Sequence, residues 1–318
     1  MSDRKDASNE WSVYWSGRNA ADTGEAFGRP GIENMPGLVE FWRAALEPSD
    51  RNARVVDFAC GAGSVVRHAH ELEFSNLAGV DISPDAIALM QGRYSGVEGV
   101  VSPIETLPET VTDIDFAVSQ FGIEYAGLNA AVRTVATRLK PGGRFLALVH
   151  MSEGAIASEC GRALEGSWAF AETGFIPATI AVFEAFTEAD ETGQTDTPRI
   201  KDAVAGLTEP RAAMVALANS GHQLAAYTLQ GAAQMFQRRR NYLPEDITGW
   251  LTGIGKENEA HGARMQGMLD AATSKEEGEA LLETLKADGF DVQPLTEFRQ
   301  GNPAEPIAWI IDFKRPGA

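Results

Sequence analysis

The sequence predicts an α/β fold: a doubly wound, mostly parallel sheet of seven strands carrying an α-helical cap as an insertion. Three observations predict it. Short apolar, strand-like runs alternate with helical periodicity through residue 150, as successive βαβ units require. The stretch Val55-Val56-Asp57-Phe58-Ala59-Cys60-Gly61-Ala62-Gly63-Ser64 passes from a buried-strand pattern through a glycine turn into a helix. From Met151 to Ser274 the chain becomes alanine-rich and helical without a convincing strand, and strand-like segments then return. Residues 1–150 and 275–318 are therefore expected in one domain, and 151–274 in a helical insertion.

The elements follow in order. Trp11, Tyr14 and Trp15 fit an N-terminal helix packed on the domain, or a lid over its site. Residues 36–46 have helical spacing and end before Pro48. The first strand, Arg54 to Phe58, enters the glycine turn and a helix over 64–72. The second, Leu77 to Val80, ends at Asp81, and Ser83-Pro84 supplies an N-cap residue and a first-turn proline. Gly99 to Val101 is a short third strand, and the fourth, Asp115 to Ser119, leads into Gln120-Phe121-Gly122-Ile123-Glu124-Tyr125. A helix through Val132 and Leu139 stops at Pro141-Gly142-Gly143, before a fifth strand over 144–149 that ends at His150. Within the insertion, Thr208-Glu209-Pro210 reads as a helix start, with further helices through Met235 and over 250–269. Ser274-Lys275-Glu276-Glu277 has capping-box spacing for a helix closing at Gly289. Phe290 to Phe298 and Pro306 to Phe313 read as an antiparallel pair at one sheet edge.

Composition removes several function classes. A formal net charge of −18 repels phosphate backbones and anionic membrane surfaces, so neither nucleic acid nor a membrane is expected as a partner. Arg238-Arg239-Arg240 is the one tight cationic cluster, and reads as a solvated helix end. Two cysteines, Cys60 and Cys160, are too few for a disulfide framework and suit a reducing compartment. The N-terminus lacks a signal-peptide pattern, and no run approaches the roughly 18 apolar residues of a membrane span. A cytoplasmic location is expected. No histidine or cysteine pair has ligand spacing, so no metal is expected.

A glycine turn after a strand serves NAD, FAD or S-adenosylmethionine alike. The dinucleotide fingerprint wants a third glycine where this chain has Val66. Asp57 would repel a pyrophosphate, yet suits a ligand bearing an ammonium and a sulfonium. Asp81, one βα unit further on, can accept from both hydroxyls of a ribose. Alone, Asp57 would read as an anion at a helix N-terminus and Asp81 as an N-cap; together with the glycines and strand order they favour S-adenosylmethionine.

On these residues the chain resembles the class I S-adenosylmethionine-dependent methyltransferases. The matching pieces are 55–63, Gly79-Val80-Asp81-Ile82-Ser83, Ile104-Glu105-Thr106-Leu107-Pro108, 115–119 and Leu139-Lys140-Pro141-Gly142-Gly143-Arg144, with the final strand pair resembling the family's reversed hairpin. The resemblance implies the Rossmann-like methyltransferase fold and S-adenosyl-L-methionine as cofactor. It implies that Asp57 and the backbone around Phe58, Ala59, Cys60, Gly61 and Gly63 hold the methionine end, and Asp81 the ribose. Ile82 and Ile104 would flank the adenine, and Ser119 and Gln120 would line the methionine moiety. Many relatives place an acidic side chain where this chain has Pro103 to accept from the adenine amino group, which leaves Ser102 or Glu105 to substitute.

Methyl transfer from a sulfonium is an in-line displacement that needs alignment and exclusion of water, and a base only where the nucleophile must lose a proton. His150, at a strand's carboxyl end, is the candidate base, with Glu124 and Tyr125 as further candidates to face the substrate. A hydrogen-bonded structural histidine is the competing reading of His150, and His222 and His261 read as non-catalytic. The expected activity is methyl transfer to a small, partly apolar organic acceptor, for which the insertion would furnish an enclosed pocket. A protein methyltransferase, and a cofactor-binding protein without turnover whose insertion serves a homodimer, are the alternatives. The acceptor, the atom methylated and the oligomeric state are not encoded in these motifs.

Overall fold

The computed structural model describes residues 36–301 and 304–317; the aromatic run Trp11–Trp15 lies outside them. The strands are β1 (Arg54–Phe58), β2 (Asn76–Asp81), β3 (Glu98–Val101), β4 (Ile114–Gln120), β5 (Leu139–His150), β6 (Asp291–Val292), β7 (Thr296–Gln300) and β8 (Glu305–Lys314). They form one sheet in the order β3-β2-β1-β4-β5-β8-β6, with β7 also on β8. β1 to β5 run parallel and β8 antiparallel to β5. The order reverses between β1 and β4, the position at which open α/β sheets bind ligands.

Helices in this unit bury one stripe each. α1 (Pro36–Leu46) buries Leu38, Trp42 and Leu46, spaced by four. α2 (Ser64–Glu71) follows the glycine turn, and α3 (Pro84–Arg93) starts where the Ser83 hydroxyl accepts from the Ala86 amide at 3.3 Å. α4 (Leu128–Arg138) buries Ala131, Val132, Val135 and Ala136. Phe58, Ala117, Phe145 and Phe313 anchor the core, and the Phe145 and Phe313 rings stack across paired strands with centroids 5.0 Å apart. Such a pair contributes about 0.5–1.5 kcal/mol beyond its area burial.

Two strand expectations change. β5 begins at Leu139 rather than Arg144, because Leu139 already pairs with Ile114 before a register shift leads to Phe116 opposite Arg144. Gly142, at φ 80°, sits in the irregularity. At the other edge, the single strand expected over 290–298 is two, β6 and β7, so the sheet has eight strands rather than seven. Pro294 lies between them and has no N–H to continue the ladder.

The chain divides into two compact units, Ser158–Asp270 and the remainder. The helical unit contains most of α5 (Ala155–Glu172), α6 (Phe175–Thr192), α7 (Pro198–Asn219), α8 (Gln223–Gln237) and α9 (Pro244–Ala271). α10 (Lys275–Ala287) returns to the first unit through the Ser274/Glu277 capping box. Phe170, Phe175, Met214, Ala225 and Ile254 form the helical core. Pro210 does not open a helix: α7 starts at Thr197-Pro198, an equally good cap and first-turn proline, and carries Pro210 inside it. The arginine cluster is also more than a solvated helix end. Asp190 accepts from Arg239 and Arg240, and the Arg239 guanidinium lies 5.1 Å from the Phe236 ring centroid. Hydrogen bonding to Arg240 first, then Arg239, holds the Asp190 carboxyl below its usual range.

Contrary to the sequence expectation, residues 155–192 are long and apolar enough to cross a membrane by length and composition. The stretch is broken at Gly174, φ 63°, into two helices of 18 residues each, and their Phe170, Phe175 and Phe183 are buried in the helical unit.

Candidate active site

The parallel strands deliver five functional segments to one sheet edge. Asp57 lies on β1, 2% exposed, with Phe58 after it. The chain then turns through Ala59 at φ 53°, Gly61 at φ 52° and Gly63 at φ 91°. Left-handed backbone at three places in five residues explains the glycines, and the alanine carries the strain of having a Cβ there. Gly63 is also required by space, since a Cβ would lie 2.9 Å from Met90 Cγ. It opens α2 without a side-chain cap, leaving that helix's first amides to another acceptor.

Asp81 braces this turn. Its Oδ2 accepts from the Gly61 amide at 2.8 Å and its Oδ1 from the Ser83 amide at 2.9 Å. Burial pushes its carboxyl up, and the amides of Ser83, Gly61 and Ile82 partly offset that. The N-cap of α3 is Ser83, so Asp81 is not a helix cap. Each carboxylate oxygen accepts more than one hydrogen bond, so the bracing is compatible with a ribose diol. Cys60 is buried against Met90, and burial first, then the Asp81 and Asp57 carboxylates, pushes its thiol well above the ordinary range. It is a packing residue held as a thiol.

Ile82 follows Asp81, and the buried Ile104 sits on the turn Ile104–Thr106 beyond β3. Glu105 is exposed on that turn. The Ser102 hydroxyl contacts the carbonyls of Pro103 and Thr106 at 3.0 and 3.2 Å, so its single hydrogen is occupied while its oxygen still accepts.

At the β4 exit, Ser119 is fully buried and its hydroxyl donates to the Phe58 carbonyl at 2.7 Å, tying β4 to β1. Gln120 accepts from the indole N–H of Trp42, a partner on α1 that sequence reasoning missed. Gly122 is a second missed element: a Cβ there would lie 2.6 Å from Ala59 Cβ, so the two exits touch. Only the small residue after Phe121, itself at φ 53°, signals this approach.

The three catalytic candidates come together. Glu124 Oε1 accepts from the His150 backbone amide at 2.9 Å and lies 2.6 Å from His150 Nδ1. Their side chains are 0% and 2% exposed. The imidazole faces the Phe121 ring at 4.8 Å between centroids, and Tyr125 meets it edge-on at 6.1 Å. His150 is further anchored through its carbonyl, which accepts from the Thr273 amide at 2.8 Å. His222 is elsewhere: Nδ1 caps α8 by accepting from Ala225 N, and Nε2 lies 3.2 Å from the Gly166 carbonyl. Among the described residues, no three histidine, cysteine or acidic side chains group as metal ligands.

Residues 55–143 match the family model described as "Methyltransferase domain". This segment is a class I S-adenosylmethionine-dependent methyltransferase domain with a Rossmann-like fold, and S-adenosylmethionine is the cofactor of such domains. The chain is 26% identical over 121 residues to the ribosomal protein L11 methyltransferase of Cupriavidus metallidurans, covering 37% of this chain and 39% of that protein. It is equally similar, 26% over 125 residues, to the enzyme of the same name from Cupriavidus taiwanensis. The chain thus spans about two fifths of the length of the curated relatives it matches. A solved structure reported under "Conversion of a Disulfide Bond into a Thioacetal Group during Echinomycin Biosynthesis" superposes with TM-score 0.50 at 14% identity, over 97% of this chain and 93% of that one. That likeness is one of fold.

Proposed function

We propose that this protein is an S-adenosylmethionine-dependent methyltransferase acting on a small, partly apolar organic acceptor. One observation carries the reading: a buried aspartate lies one residue before the end of β1, and a second, ending β2, is hydrogen-bonded to the glycine turn between them. That pair of carboxylates around a left-handed turn fits an ammonium on one side and a ribose diol on the other, and has no place for a pyrophosphate. When bound, the cofactor supplies an electrophilic methyl on a sulfonium. Asp57 binds the cationic amino-acid end, and the uncapped amides opening α2 receive its carboxylate. Asp81 orients the ribose while holding Gly61 in place. Ile82 and Ile104 sandwich the adenine and exclude water from it.

The small-acceptor reading rests on chemistry of the chain. The net charge of −18 disfavours nucleic acid. The β4 exit, Ser119-Gln120-Phe121-Gly122, lacks the Asn/Asp-Pro-Pro-aromatic sequence associated with nucleobase amines. A protein acceptor is the second reading, favoured by the curated relatives whose name specifies a ribosomal protein.

Calorimetry with S-adenosylhomocysteine tests the foundation, and absence of binding ends the proposal. Cofactor consumption against phenols, carboxylic acids and amines, beside acidic and basic peptides, then separates the two acceptor classes. Turnover confined to peptides would replace the small-acceptor reading with the second.

A further inference from the structure

We propose that Glu124 is a positioning residue that sets His150 as the proton acceptor of the transfer, so that the acceptor carries a proton on the atom to be methylated. This inference rests on the methyl-transfer reading above and narrows the acceptor to hydroxyl or N–H compounds.

One carboxylate oxygen, Glu124 Oε1, engages His150 twice, at the backbone amide (2.9 Å) and at Nδ1 (2.6 Å). An ionised carboxylate only accepts, so the nitrogen facing it bears the hydrogen and the neutral imidazole keeps its lone pair on Nε2. The two-point grip sets the tautomer and the ring's position together. Phe121 and Tyr125 hold the ring plane from a face and an edge. Capping one backbone amide at the end of β5 would need no charge and no histidine. A buried carboxylate against a buried imidazole is instead the arrangement that fixes a ring's orientation and tautomer.

The second carboxylate oxygen points the same way. Glu124 Oε2 is buried and accepts no hydrogen bond among the described residues. A buried carboxylate oxygen without a donor is unfavourable unless a water or ligand supplies one. The chain therefore holds, beside the candidate base, an acceptor suited to a protic compound. In the step itself, the acceptor's heteroatom bonds to the methyl carbon, the carbon–sulfur bond breaks, and its electron pair returns to sulfur as a neutral thioether. The heteroatom's proton moves to His150 Nε2, the imidazolium rests against Glu124, and the proton then passes to water. The step balances with no further reactant.

The test reads the tautomer directly, through long-range proton–nitrogen correlation on the ¹⁵N-labelled full chain, with His150→Gln assigning the resonance. His150 should show Nδ1 protonated and Nε2 bare at about pH 8, where an ordinary imidazole is neutral. Glu124→Leu, which removes the acceptor facing Nδ1, should shift it toward the Nε2–H form, while Glu124→Gln, whose amide oxygen can still accept from Nδ1–H and from the backbone amide, should retain the native tautomer. A wild-type His150 protonated on Nε2 overturns the inference, as does a Glu124→Leu tautomer identical to wild type. On a turned-over acceptor, Glu124→Gln should lower kcat by about 10²–10⁴-fold with KM within a few-fold; an unchanged kcat also overturns it. Where Glu124→Gln fails to fold, Glu124→Asp carries the kinetic comparison, with kcat at least partly retained. Binding of S-adenosylhomocysteine by the same samples keeps the failures apart, since loss of binding by wild type defeats the methyl-transfer reading and a wrong tautomer defeats only the dyad.

Discussion

Gly122→Ala tests whether the exits of β1 and β4 form one packed floor beneath the cofactor. The new Cβ would lie 2.6 Å from Ala59 Cβ and 2.9 Å from the Ala59 carbonyl oxygen. Carbon atoms in contact prefer about 3.5–4.0 Å, so the exits must separate by about 1 Å. Overpacking costs about 1–3 kcal/mol, and the upper half of that range applies because backbone cannot rotate away. Ala59 itself sits at φ 53°, so Ala59→Gly removes one clash and relieves strain. Alone, that second change should be within about 0.5 kcal/mol of neutral, since glycine's extra chain entropy opposes the gain. Combined, it should recover about half of the Gly122→Ala loss, leaving the carbonyl contact in place and a coupling of about 1 kcal/mol. Urea unfolding of the four proteins measures the cycle. S-adenosylhomocysteine calorimetry should show at least a tenfold affinity loss in Gly122→Ala, as a displacement of about 1 Å in a positioned site can cost on the order of 10²-fold. Additive effects, or a Gly122→Ala protein as stable as wild type, would refute the packed floor.

Three further outcomes are expected. Asp81→Ala should weaken S-adenosylhomocysteine binding more than tenfold, because hydrogen bonds to a charged group are worth about 1.5–3 kcal/mol each; unchanged affinity in calorimetry removes the ribose assignment. Burial first, then Arg67, pushes the His68 imidazole down to about 4 from an ordinary 6.5, so the unfolded chain binds more protons across that interval and stability falls as pH drops from about 6.5 to 4. The loss is at most about 3 kcal/mol, nearer 1–2 after solvent screening, and His68→Leu should flatten the stability slope over that window; parallel slopes contradict the assignment. Pro210→Ala should stabilise the protein by about 2 kcal/mol, the helix-propensity gain of about 3 less about 1 of unfolded-chain entropy, read as a higher Tm; a lower Tm would mean the ring packs rather than interrupts.

What was legible in the sequence was local. Ser83-Pro84, the Ser274/Glu277 box and the glycines at 61 and 63 each settle a few backbone angles through near neighbours, and the structure has them where the sequence puts them. Pro210 misled because an equally good start, Thr197-Pro198, lies upstream, and the packing of α7 on its neighbours outweighs one missing hydrogen bond. Pro294 divides β6 from β7 for the same kind of local reason, applied to a segment whose alternation looked continuous. The pairings across the site were not legible. Glu124 and His150 were separate candidates, and only the adjacency of β4 and β5 brings residues 26 apart to 2.6 Å. Gly122 against Ala59 and Trp42 against Gln120 likewise depend on sheet order.

Those pairings have a common logic. A parallel ladder ends where its strands end, and the backbone groups of each exit then need other partners. Here neighbouring exits are tied by a side chain from one to the backbone of the next: Asp81 to the Gly61 amide, Ser119 to the Phe58 carbonyl, Glu124 to the His150 amide. The ties follow the strand order β2-β1-β4-β5 without a gap. Ser119, expected as a lining residue, is on this account one of the ties. A carboxylate is used at both outer ties and a hydroxyl at the inner one. A carboxylate can bond the neighbouring exit through one oxygen and still accept from a ligand through the other, and Asp81 and Glu124 are the two positions where a ribose and a protic acceptor would need it. On the proposed reading, the groups that rigidify the edge are also the groups that would read the ligands. Loosening any tie should reduce affinity and stability together, and substituting an isosteric amide at Asp81 or Glu124 should separate the two effects.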